Sequence, residues 1–119
     1  MRVLVLPLGP HLCAVPFKDV RQVLHAPRLA VLPTAPERLL GLANFAGEII
    51  PAYDSSKLLD LPAFHASHLV LLETSEGLAG ITASDLPFPA DLMEAAPGFL
   101  AHHNEIIPLF DAEQALVAP

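Results

Sequence analysis

Apolar residues fall in short runs separated by turn-forming residues along nearly all of the 119-residue chain. Val3-Leu4-Val5-Leu6 and Leu12-Cys13-Ala14-Val15 flank Gly9-Pro10, and Leu69-Val70-Leu71-Leu72 and Leu78-Ala79-Gly80-Ile81 flank Ser75-Glu76-Gly77. Short apolar runs bounded in this way predict strands, many of them buried. Residues 40–45 and 48–53, on either side of Ala46-Gly47, predict a further hairpin. Residues 98–102 and 105–110, around His103-Asn104, predict another. Gly and Asn adopt positive φ more readily than other residues, so Gly47 and Asn104 suit the turns.

The last two hairpins echo each other. Glu48-Ile49-Ile50-Pro51-Ala52-Tyr53-Asp54 is matched by Glu105-Ile106-Ile107-Pro108-Leu109-Phe110-Asp111. The first and third strand pairs echo each other more faintly. The order is hairpin, connector, hairpin, repeated once. This predicts two small β-subdomains within a single domain: residues 1–59, a link at 60–67, and a shortened unit at 68–119. The 113–117 region is expected to pair back across to the first unit. Asp54 and Asp111 are good helix N-caps, so short helices are expected over 54–59 and 111–116.

The connectors differ. In 17–39, Val20, Val23 and Leu24 stand at i, i+3, i+4 and predict a helical turn. The second connector, 83–97, carries Pro87, Pro89 and Pro97 and is expected to be irregular. Thirteen prolines suit barrels of short strands and not a helical bundle.

Composition narrows the function. The chain is 53% hydrophobic and 16% charged, which excludes disorder. All six basic residues lie in residues 1–57, and nine of the thirteen acids lie in 58–119. A half without cations is a poor nucleic-acid surface, so no direct nucleic-acid binding is expected. The same excess predicts that the second unit is acidic and poor in partners. The opening run to Phe17 is too short and too broken by Pro7 and Pro10 to serve as a signal, and no run is long enough to insert in a membrane. A soluble, cytoplasmic protein is expected. Cys13 is the only cysteine, so no internal disulfide is expected, and its place inside an apolar run predicts a small core residue.

Catalytic chemistry is hard to find. His65 and His68 are three apart and His102 and His103 adjacent, with His11 and His25 elsewhere. Without cysteine partners or an HExxH pattern this is weak metal evidence. On a strand, His102 and His103 would face opposite sides. Asp54 and Asp111 could form an acid/base pair, but helix capping is the simpler role. Ser55 and Ser56 have no His/Asp partners nearby, and there is no phosphate loop. No enzyme, metal or cofactor is expected. A small barrel binding ligand or metal through its histidines remains the alternative from another class.

One block resembles a known pattern: Pro33-x-x-Pro36, then Gly41-x-x-Asn44-Phe45-Ala46-Gly47-Glu48-x-x-Pro51-x-x-Asp54. It resembles the CheW-like domain of bacterial chemosensory systems, whose usual form is P-x-x-P, then G-V-x-N-L-R-G-x-x-x-P-x-x-D-L. The resemblance implies an all-β fold of two SH3-like five-stranded barrels with short helices. It implies a non-catalytic adaptor of chemosensory arrays and bacterial motility. Its partners would be the cytoplasmic tip of a chemoreceptor (a methyl-accepting protein), a CheA-type histidine kinase and a full-length CheW-like adaptor. The receptor's helical hairpin would dock in an apolar groove between the barrels. Carried onto this chain, that groove comprises Val15, Val20, Val23, Gly41, Asn44, Phe45, Ala46, Gly47, Leu69 and Val70. Two departures stand out. Ala46 replaces the family's arginine, which removes five donors. The second half is shorter. Both departures suggest an adaptor that keeps receptor binding and has weak or no kinase binding. The alternative is an ordinary adaptor bridging receptor and kinase.

Overall fold

The computed structural model describes residues 1–117. Its strands are β1 (Arg2–Leu8), β2 (His11–Pro16), β3 (Val20–His25), β4 (Leu39–Phe45), β5 (Glu48–Tyr53), β6 (His68–Thr74), β7 (Gly77–Ala83), β8 (Phe88–Asp91), β9 (Met93–Ala96), β10 (Phe99–His102) and β11 (Glu105–Pro108). A 3-10 turn at Phe17–Asp19 and two helices, α1 (Ser55–Leu58) and α2 (Ala112–Leu116), complete the described chain. The fold is mainly β, with the hairpins where the apolar runs place them.

Five strands form one sheet in the order β3-β6-β7-β5-β4. Its outer strands are brought together by the chain after β3, where Ala30 bridges Leu42 of β4 with backbone hydrogen bonds of 2.8 and 2.9 Å. The second barrel joins β2-β1-β8 to β9-β10-β11. β8 runs into β9 through Leu92, whose N–H donates to the Met1 carbonyl at 2.9 Å. The ring closes where Leu109 bridges Ala14 and the Phe110 N–H donates to the Ala14 carbonyl at 2.7 Å.

The barrels therefore do not follow the chain halves. β3, β4 and β5 of the first half pair with β6 and β7 of the second. β1 and β2 join β8 to β11. The repeat is real but exchanged: each half gives one hairpin to each barrel. The parallel contact Ala52↔Gly80 has its counterpart in Ala14↔Leu109, between the matching hairpins. A repeat in sequence shows which segments are alike, not which ones pair.

Exchange also explains the unbroken apolar runs. Along β1, Val3 and Val5 face the interior of the second barrel, while Leu4, Leu6 and Leu8 face a core between the barrels. Along β6, Leu69 and Leu71 face the interior of the first barrel, while Val70 and Leu72 face the shared core. Strands buried on both faces lose the alternation of apolar and polar residues.

Three local expectations are corrected. Residues 20–25 form a strand, not a helical turn. A β-bulge falls between Val20 and Gln22, so Val20 and Val23 both pack on the shared core. The extra residue makes a strand imitate helical spacing. Residues 83–97 contain β8 and β9. β8 pairs only with β1, the kind of edge position where Pro89 is tolerated. The 113–117 region does not supply a strand: Ala112–Leu116 is helical, and Leu116 packs on the shared core. The two short helices start as expected. Asp54 accepts from the Ser56 N–H at 3.0 Å and Asp111 from the Gln114 N–H at 3.2 Å.

The acidic excess is redistributed by the exchange. Arg21, Arg28, Arg38 and Lys57 share residues 20–83 with six acids, a net of −2, while Arg2 and Lys18 share residues 1–19 and 84–119 with seven acids, a net of −5. Both barrels are acidic, and the second remains the more acidic of the two.

Gly41 is fixed by the closure of the first barrel. A Cβ there would lie 2.6 Å from the Ala30 carbonyl oxygen. Gly41→Ala is expected to cost about 1–3 kcal/mol, measured by urea unfolding, because backbone must move.

Candidate partner-binding site

The ten residues expected to line a groove separate into distinct environments. Val15 and Val70 are fully buried in the shared core, and Leu69 is buried inside the first barrel. None of the three can touch a partner in this conformation. They are buried because β2 and β6 are covered on both sides. Val20 and Val23 are half-buried against the shared core. Gly41 is buried under Ala30. Asn44, Ala46 and Gly47 are exposed at the β4–β5 turn, and Phe45 is half-buried. β3 and β4 lie at opposite ends of the sheet order, so Val20 and Val23 do not share a strand pair with the turn.

The turn itself is well defined. Ala46 and Gly47 have φ of 52° and 82°, and the Gly47 N–H donates to Asn44 Oδ1 at 3.3 Å. Two consecutive left-handed residues match the twist of a tight hairpin. Glycine takes this conformation freely, whereas Ala46 does so against its Cβ. In the second hairpin the left-handed residue is His103, not Asn104.

Sequence reasoning missed the most exposed apolar side chain of this hairpin. Ile49 is 60% exposed and Ile50 is fully buried. In the matching hairpin Ile106 is 65% exposed and Ile107 only 2%. The repeated Glu-Ile-Ile-Pro thus presents one isoleucine outward and one inward in each barrel. Strand alternation alone could have flagged this. Ile49 lies between two grooves. One, of about 380 Å³, is lined by Arg28, Leu29, Leu42 and Asn44. The other, of about 470 Å³, runs past Pro51, Tyr53 and Leu78 toward Leu116. Ile106 flanks a third cleft, of about 460 Å³, between the second barrel and the link, with Leu12, Leu59 and Leu61.

The histidines are not where spacing put them. His25 and His68 face each other across β3 and β6. His102 and His103 also lie close, with ring centroids 4.4 Å apart, because His103 sits in the turn. Among the described residues no three His, Cys, Asp or Glu side chains gather as a metal cluster. No helix there is long and apolar enough to cross a membrane.

Two of these grooves are mainly apolar, while the one toward Leu116 is also lined by Glu48, Thr74 and Glu76. The sequence profile of the CheW-like domain matches residues 2–88, more than half the chain, and the chain belongs to the CheW-like family. It is a scaffold or adaptor domain of the chemotaxis type, a non-catalytic class. Among solved structures, the scaffolding protein TtCheW from Thermoanaerobacter tengcongensis is similar, with a TM-score of 0.82 and 19% identity. That match covers 98% of this chain and 92% of the other. No curated protein matches the chain.

Cys13 lies in the shared core, and burial pushes its thiol up to about 12. The reactive thiolate is therefore scarce at pH 8. Iodoacetamide is expected to leave native protein unmodified at that pH and to label it fully in denaturant. Rapid labelling of folded protein would show that the core opens.

Proposed function

We propose that this chain is a chemosensory adaptor that binds the cytoplasmic tip of a chemoreceptor and holds a CheA-type histidine kinase weakly or not at all. The observation that carries this reading is the β4–β5 turn. It keeps its hairpin geometry and exposure, yet Ala46 supplies no polar arm where the family pattern has arginine. An apolar receptor hairpin needs no such arm, whereas a bidentate polar contact does. Exposed Asn44, Ala46 and Gly47, with half-buried Phe45, Val20 and Val23, make up the receptor surface. The protein acts in the cytoplasm, within chemosensory arrays, where it tunes assembly and signal gain. This profile resembles FrzB, the short CheW-like protein of the Frz motility-control system.

A second reading, the ordinary bridging adaptor, is favoured by the completeness of the second barrel. That barrel closes, and the chain spans 92% of TtCheW. The loss of kinase binding therefore rests on Ala46 alone.

A pull-down with purified receptor cytoplasmic region, and separately with purified kinase, separates the readings. Retention of receptor without kinase is expected. Equal retention of kinase would favour the bridging adaptor, and no retention of receptor would contradict the adaptor reading altogether. Ala46→Arg is expected to strengthen kinase binding about tenfold, or about 1.4 kcal/mol, with little change toward receptor.

A further inference from the structure

We propose that His25 and His68 form a two-histidine chelate for a late first-row transition metal ion, with Cu²⁺ the strongest ligand and Ni²⁺ and Zn²⁺ weaker. The inference does not rest on the adaptor reading. The two residues are directly opposite in the β3–β6 ladder, so their side chains project to the same face. Their ring centroids are 4.8 Å apart, with the planes tilted by 38°. With metal–nitrogen bonds of about 2.0 Å and a ring radius of about 1.1 Å, two imidazoles on one ion bring their centroids to about 4.5 Å at a right angle and about 5.1 Å at a tetrahedral one. The observed separation lies between these values before any ion is bound.

The surroundings favour coordination. Ser67 Oγ is 2.7 Å from His68 Nδ1. When that nitrogen donates its proton to the hydroxyl, Nε2 keeps the free lone pair, the arrangement a metal-bound histidine requires. The backbone beneath both rings is held. The Ala26 N–H donates to the Ser67 carbonyl at 2.8 Å, and the Ser67 N–H to the Ala83 carbonyl at 2.9 Å. His25 is exposed and His68 half-buried, so an ion can reach them. Among the described residues no third side-chain donor gathers there, so water would fill the remaining positions. Imidazole nitrogen suits copper, nickel and zinc, and the Irving–Williams order places Cu²⁺ first. His102 and His103 are a built-in comparison. Their rings meet edge to face, and His102 also lies 6.0 Å from the Phe88 ring. His103 sits in the turn with φ of 53°, so this pair is not held across a strand ladder as His25 and His68 are.

An ion at this site would fasten the end of β3, an outer strand of its sheet, to β6. β3 also carries Val20 and Val23.

The test is titration of the whole chain with Cu²⁺, then Ni²⁺ and Zn²⁺, by calorimetry, with thermal melts alongside. One Cu²⁺ per chain is expected. Affinity should fall about tenfold or more in His25→Ala and in His68→Ala, and stay unchanged in His102→Ala. Ser67→Ala should weaken binding by less than either histidine variant. Cu²⁺ should raise the melting temperature of the parent and not of His25→Ala, which alters an exposed side chain and keeps the fold. No binding up to about 0.1 mM Cu²⁺ would overturn the proposal. So would equal binding by His25→Ala, or loss confined to His102→Ala.

Discussion

The structure depends on the apolar layer trapped between its two barrels. Leu4, Leu6 and Leu8 reach it from β1, Cys13 and Val15 from β2, Val70 and Leu72 from β6, and Ile81 and Ala83 from β7. Phe110 and Ala112 seal it from the end of the chain. Each large side chain buried there contributes about 1.5–3 kcal/mol. The interiors of the separate barrels are smaller clusters of five buried residues each. Neither barrel has enough interior of its own to be the main source of stability, so the layer between them makes the domain one object.

Exchange of hairpins reinforces that unity. Each barrel takes strands from both halves of the chain, and the chain must pass between barrels after β2 and again after β7. The bridge of Ala14 to Leu109 ties the start of the chain to its end. The exposed turns that could meet partners are thus carried on a base that does not flex at a simple linker. Residues 60–67 join α1 to β6 within the first barrel and are not a boundary between two units.

The eight strands of the four hairpins, their turns and both helix caps were legible in the sequence, because each is set by local chemistry, whereas β3, β8 and β9 were not. Asp54 and Asp111 announce their helices through one side chain each. Pairing between strands was not legible, because the repeat makes the two β-hairpin sets look interchangeable. The reading of 20–24 as helical failed for a specific reason: a bulge at Arg21 shifts the strand's period by one residue. Exposure was legible for only some of the candidate residues. Asn44, Ala46 and Gly47 lie exposed in their turn, but Val15, Leu69 and Val70 read equally well as core, and core is what they are. Ile49 and Ile106 were hidden among identical neighbours, and only strand register separates them from Ile50 and Ile107. The facing of His25 and His68 follows from a long-range pairing that no spacing rule contains.

The claim that the shared layer unites the barrels can be tested by native-state hydrogen exchange, comparing the amides of Leu71 in β6 and Leu100 in β10. Each is buried in a different barrel. If the layer governs stability, both amides exchange only through global unfolding, with the same opening free energy and the same dependence on denaturant. Exchange at Leu100 through a much cheaper opening, while Leu71 stays protected, would contradict it and show two barrels that fold apart.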